Sequence, residues 1–352
     1  MKCLRSWLAA AAAGLLLPVL AGCLDRDSIA VIADAENQLF TPDGRLVVTG
    51  GTGVFEVVAA AGGGYAARPI ATEVSGSCNH TGLAQIGAWI FTACVQRRPF
   101  QSADHHLLAA RAVAGQPLHF VQVDRASADP MDALALPNGL AATPDGRLLV
   151  ADYRLPGTAG VARVALDLTG ERPRITAFER DWLAAAHGIG HPNGVRVQGR
   201  ELFVSDFSFV KRYLFDDRAE VPLFLTMPGG VTVKNEVLVF QGATAVDDIE
   251  PFCGGVVVTD FIGGRLVYMA PDGLDARGLP KYREARSTPW QALHAPSSVQ
   301  LGRAPLFDGH DVLITEKGLL GEFTSDYGNR LSRVKAGTDL SDPAACDRLN
   351  AR

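Results

Sequence analysis

One line of sequence returns six times along this 352-residue chain and restricts what the chain can fold into. Thr41-Pro42-Asp43-Gly44-Arg45-Leu46-Val47-Val48 comes back as Thr143-Pro144-Asp145-Gly146-Arg147-Leu148-Leu149-Val150. Val197 to Val204, Cys253 to Val258, Ile86 to Phe91 and Gly309 to Ile314 are looser copies. Pro-Asp-Gly is a turn signal, because proline presets φ and glycine accepts positive φ. The Val, Leu and Ile that follow suit a buried strand. A second short strand comes after some copies, as at Val54 to Val57 and Val161 to Val164. Helical periodicity is nearly absent, and Arg180 to Ala186 is the one stretch expected as a short helix.

Four short strands in a unit of about 50 residues is the pattern of a propeller blade. A lone blade leaves both faces in water; a closed ring of blades buries them. The expectation is an all-β, six-bladed β-propeller over residues 34–340, with a metal site in its central channel. A β-sandwich would leave the sixfold return unexplained.

Ahead of the repeats, Lys2 and Arg5 precede an apolar run from Trp7 to Leu20, too short for a membrane span and of the right length for a signal peptide. The run ends in Leu20-Ala21-Gly22-Cys23, which resembles a bacterial lipobox. The resemblance implies a leader over 1–22, cleavage before Cys23 and a lipid on its sulfur, with 23–33 as a linker. Leu24, where Asp would signal inner-membrane retention, implies the outer membrane facing the periplasm. Membrane contact is then expected through the lipid alone. Removing Lys2 and Arg5 from 33 basic residues leaves 31 against 38 acids. Such a surface, without basic clusters, argues against nucleic acid as a partner.

Four cysteines remain: Cys78, Cys94, Cys253 and Cys346. An oxidising compartment allows two disulfides in three pairings. Cys78–Cys94, bracketing one hairpin, and Cys253–Cys346, tying down a tail over 341–352, are favoured; free buried thiols are the alternative.

Counting back from each buried strand finds the start of the strand before it, which in a propeller lines the channel. Twelve residues before Val48 is Glu36, and twelve before Val150 is Asn138. Eleven before Val204 is Asn193, and eleven before Val258 is Asp247, with Asp248 beside it. Twelve before Thr92 is His80, next to Asn79. Converging Glu, Asn and Asp oxygens suit calcium, which takes six to eight of them at roughly 2.3–2.6 Å. Zinc would ask for His and thiolate. The acids Glu36, Asp247 and Asp248 would offset a divalent charge. An Asn-Gly pair can also be only a turn, and His80 a structural histidine. Asp152, Asp206 and Asp260 repeat after the strands and are expected to fix blade turns.

Leu136-Pro137-Asn138-Gly139-Leu140 and His191-Pro192-Asn193-Gly194-Val195 resemble the gluconolactonase/regucalcin and paraoxonase (arylesterase) superfamily, which includes strictosidine synthase-like proteins. The resemblance runs from about Asp34 to Lys335. It implies Glu36, Asn138, Asn193 and Asp247 as ligands of one calcium, with Asp248 where the family has Asn. It also implies His80 as a catalytic histidine. Asn37 stands in place of the acid that serves the family's second calcium, and no second dyad histidine is evident among His105, His106 and His294.

The chemistry implied is oxyanion stabilisation on a lactone or ester carbonyl, with Asp247 or Asp248 as base toward water. No Gly-x-Ser-x-Gly elbow offers a serine nucleophile. The expected function is a calcium-dependent lactonase or esterase of the cell envelope. The alternative is a non-catalytic propeller that binds a ligand or protein and keeps the ion as a structural pin.

Overall fold

The computed structural model describes residues 26–51, 53–74, 78–96, 104–125, 130–319 and 323–351. The leader and Cys23 lie outside them. Each recurring line is the hairpin between the first two strands of an antiparallel sheet. These hairpins pair Gln38–Phe40 with Leu46–Gly50, Asn79–Ile86 with Trp89–Gln96, and Pro137–Ala142 with Leu148–Asp152. They continue with Pro192–Gln198 and Glu201–Asp206, Val246–Phe252 and Gly255–Asp260, and Pro296–Leu301 and Asp311–Glu316. Two further strands extend each sheet outwards. The first two sheets are also joined at their edges, where Ala71 and Thr72 run parallel to His119 and Phe120.

The outermost strand of the last sheet comes from the other end of the chain. Arg26–Val31 pairs with Arg330–Lys335, so residues expected in the 23–33 linker belong to the sheet system. The first strands of successive sheets are neighbours, and Pro296–Leu301 lies back beside Gln38–Phe40. The sheets therefore stand in a ring, each first strand facing the axis.

The second strands are the most deeply buried. Leu46–Gly50 and Leu148–Asp152 are buried along their whole length, because both faces meet a neighbouring sheet. The core is accordingly divided among the interfaces: Phe91 and Leu107 of the second sheet pack with Leu140, Val150 and Val164 of the third. Each such side chain contributes roughly 1.5–3 kcal/mol by leaving water.

Arg180 to Ala186 is not a helix. Arg174–Leu183 is a strand paired with Val161–Asp167, followed by a single 3-10 turn at Ala185–His187. Edge pairing outweighs the weak local preference there. Among the described residues the α-helix is instead Pro343–Asn350, in the tail, where the Asp342 side chain accepts from Ala344 N. Cys346 in this helix is bonded to Cys253 in the fifth sheet's hairpin turn, and Cys78 is bonded to Cys94.

Candidate active site

Every axis-facing strand carries the same irregularity. In the third sheet Pro137 pairs with Asp152 and Leu140 with Val150, so Asn138 and Gly139 together face Ala151. Asn193-Gly194 face Ser205, Asp247-Asp248 face Thr259, and Ser297-Ser298 face Thr315 in the same way. Thr81-Gly82 face Ala93. In the first sheet Glu36 N and Asn37 N both donate to Thr49, to its carbonyl and its hydroxyl. A bulge of this kind bends a strand and re-aims a side chain. The leading residues of the pairs are Glu36, Thr81, Asn138, Asn193, Asp247 and Ser297.

His80 is not in this set. It pairs with Cys94, one step before the bulge. The first and third sheets turn through the longer Pro-Asp-Gly loops, whereas Ile86 pairs with Trp89 across Gly87 and Ala88 alone. The shorter turn, partly offset by one more pair along the hairpin, makes the count back from Thr92 eleven instead of twelve and moves the axial position from His80 to Thr81. The His80 ring is buried, burial lowers its pKa to about 4, and its Nδ1 has no hydrogen-bond partner. His105 and His106 lie on the third strand, Asp104–Arg111, and His294 stacks on Tyr327 at 4.2 Å.

Hydroxyls on the first and second strands hold several of the bulges and link neighbouring sheets. Thr49 Oγ1 donates to Thr81 O at 2.6 Å, and Thr81 Oγ1 to Pro137 O at 2.9 Å. Ser205 Oγ accepts from Gly194 N and donates to Asp247 O, both at 2.6 Å. Thr315 Oγ1 donates to Glu36 O at 2.9 Å and Ser297 Oγ to Ala35 O at 2.7 Å, joining the last sheet to the first. A Cβ on Gly194 would come within 2.8 Å of Asp247 O, so this approach requires glycine. Asp152 and Asp206 hold the loops entering their own sheets: each accepts from two successive backbone N–H groups, of Ala135 and Leu136 and of Gly190 and His191.

Four acids and two bases share the channel. The Lys317 ammonium is hydrogen-bonded to Glu36 Oε2 and lies 3.5 Å from Asp34 Oδ1. Deeper, the Arg196 guanidinium is bonded to Asp248 Oδ2 and reaches Asn37 Oδ1 at 3.3 Å, while Asn37 Nδ2 donates to the same Asp248 oxygen at 3.2 Å. Burial pushes the Asp247 pKa well above the usual carboxylate range, and the neighbouring Glu36 charge adds to this. Glu36 is also raised, by burial, against the pull of Lys317. Asp248 is raised by burial with Arg196 opposing. Below Arg196, Gln300 Nε2 donates to Glu250 Oε2 at 2.8 Å, and burial lifts Glu250 to about 7. A polar cavity of about 420 Å³ begins there, lined by Gln38, Gln198, Glu250, Gln300 and Arg303.

The donor set fits a hard cation in part. Asn193 Oδ1 is buried with no hydrogen-bond partner. Fully ionised, the four acids exceed the two bases by two charges. Among the described residues no three His, Cys, Asp or Glu side chains stand close enough to hold an ion by themselves, so the amide oxygens of Asn138 and Asn193 would have to contribute. Arg196 and Asn37 engage Asp248 Oδ2, while Asp248 Oδ1 is buried with no hydrogen-bond partner.

Lys317, Arg196 and Thr81 were not anticipated from sequence. Lys317 had a signal. Val150-Ala151-Asp152-Tyr153, Val204-Ser205-Asp206-Phe207 and Val258-Thr259-Asp260-Phe261 put an aromatic after the acid, and Ile314-Thr315-Glu316-Lys317 breaks the pattern. The backbone N–H of each of these four last residues donates to the loop that precedes its sheet's first strand. Burial and the Asp247 charge raise the Tyr153 pKa. Phe207, Ile262, Leu319 and Phe323, on loops of this same face, are 40–57% exposed, giving the mouth an apolar rim.

No family model and no curated protein matches this chain. Solved structures do. A luciferin-regenerating enzyme is 12% identical, with a TM-score of 0.54 over 89% of this chain and 95% of its own. The PQQ-bound aldose sugar dehydrogenase of Streptomyces coelicolor is 14% identical, with a TM-score of 0.52 over 88% and 96%. A structure described as a gluconolactonase is 15% identical, with a TM-score of 0.48 over 90% and 93%. The fold is a β-propeller.

Proposed function

We propose that this chain is a six-bladed propeller hydrolase that opens a lactone or ester carbonyl in its central channel with the help of one calcium ion. The observation that carries the reading is the bulge: separate sheets bring Glu36, Asn138, Asn193 and Asp247 to the same position on the axis. Glu36, Asn138, Asn193 and Asp247 would hold the calcium, which would supply positive charge to a substrate carbonyl. Asp247, on the axis beside Asp248, takes a proton from the attacking water. Tyr153 stands near enough to Asp247 to feel its charge and offers a phenol to the substrate side. Arg196, bonded to Asp248, plugs the channel from below, so substrate and product use the upper mouth. Its apolar rim favours acyl or aryl substrates over sugar lactones.

The test is a panel of sugar lactones, acyl lactones and aryl esters, with purified protein in calcium and in chelator. Turnover of an acyl or aryl substrate that disappears with chelator supports the reading. Folded, calcium-loaded protein without turnover on the whole panel would leave a non-catalytic binding propeller. The Leu20 to Cys23 motif supports an envelope location through a lipid on Cys23. Cys23→Ser should release the protein from membranes, and unchanged lipid labelling of that variant would remove the anchor.

A further inference from the structure

The channel acids already have a cation. Lys317 occupies the slot that holds Tyr153, Phe207 and Phe261 in three other sheets, and its backbone N–H makes the matching bond, to Ala295 O. Its side chain is 10% exposed and ends between Glu36 and Asp34, themselves 4% exposed. Glu36 is also the acid that the proposed calcium site needs. One carboxylate oxygen cannot serve a tethered ammonium and an ion at full strength, because each neutralises the field that attracts the other.

We propose that Lys317 is a built-in counter-ion which holds the channel acids together without metal and which a divalent cation must displace from Glu36. Two consequences follow. The fold does not require the ion, because Lys317 pairs with Glu36 and Arg196 with Asp248. Divalent affinity is set by competition, so the wild-type site is weaker than its oxygen donors alone would make it. This inference rests on the metal site proposed above and not on any catalytic activity, so its test reads binding and stability instead of turnover.

The experiment compares wild type with Lys317→Met, using calcium titration by calorimetry and thermal melts in chelator and in calcium. Lys317→Met should bind calcium at least tenfold more tightly. In chelator it should melt below wild type, since its buried acids have lost their cation, and calcium should restore or exceed the wild-type melt. Lys317→Arg should keep the weak wild-type affinity. If Lys317→Met cannot be obtained folded in chelator, recovery of folded protein on adding calcium supports the same conclusion. Calcium affinity unchanged or weaker in Lys317→Met, a melt equal to wild type in chelator, or no rescue by calcium would each overturn it.

Discussion

The guanidinium of Arg196 is bonded to the carboxylate of Asp248 across the channel floor, with the two side chains only 11% and 3% exposed. Removing one partner of a buried pair leaves the other charge without compensation. Arg196→Met should cost about 3 kcal/mol of stability in urea titrations. The double variant Arg196→Met/Asp248→Asn should recover part of that loss, because the stranded charge is gone. Equal stability of Arg196→Met and wild type would show that Asp248 does not depend on Arg196.

Asp247 should divide chemistry from folding. Asp247→Asn keeps an oxygen on the axis and removes the charge and the basicity. The fold should survive and calcium binding weaken, while hydrolysis falls by a factor on the order of 10². A variant with full activity would transfer the base role to another group.

His80 should reveal itself through pH. The imidazole titrates near 6.5 in the unfolded chain and near 4 when buried, so the unfolded chain binds more protons in that interval. The stability His80 contributes is complete above pH 6.5 and lost as pH falls through 4, amounting to about 3 kcal/mol. The difference in unfolding free energy between wild type and His80→Gln, measured from pH 7 to 4, should show this slope. A flat difference would mean that the folded imidazole titrates normally. Hydrolysis by His80→Gln should change little, because the bulge aims Thr81 and not His80 at the axis.

Gly194 should be intolerant of a methyl group. A Cβ there meets Asp247 O at 2.8 Å and Asp248 Oδ1 at 2.7 Å, and backbone cannot yield as a side-chain end can. Gly194→Ala should cost about 1–3 kcal/mol and weaken calcium binding by displacing Asp247. Gly53→Ala, whose nearest atoms are 3.6 Å away, is the control expected to cost little by comparison.

The repeat was legible because Pro-Asp-Gly and the Val/Leu runs encode a hairpin locally. From the hairpin the positions of Glu36, Asn138, Asn193 and Asp247 followed by counting. The count failed at His80 because it depends on loop length: the Gly87-Ala88 turn is shorter than the Pro-Asp-Gly loops and matches the turns of the fourth and fifth sheets, for which the count is eleven. The bulges themselves have no residue signature: Asn-Gly, Thr-Gly, Asp-Asp and Ser-Ser all form one. Arg196 and Lys317 carried nothing that marks a channel residue in isolation. Only the aligned Asp-aromatic steps make Lys317 stand out. Arg26–Val31 could not be assigned locally either, since its partner strand is at the far end of the chain.

That last pairing makes the fold a check on its own completion. The first strand of the ring, Arg26–Val31, waits for the last, Arg330–Lys335, so no shorter product of synthesis can close. A chain that stops early presents raw sheet edges in place of a sealed ring, and such edges invite aggregation and proteolysis. Unfinished copies are thereby marked for removal by their own geometry, before any channel exists to bind or turn over a ligand.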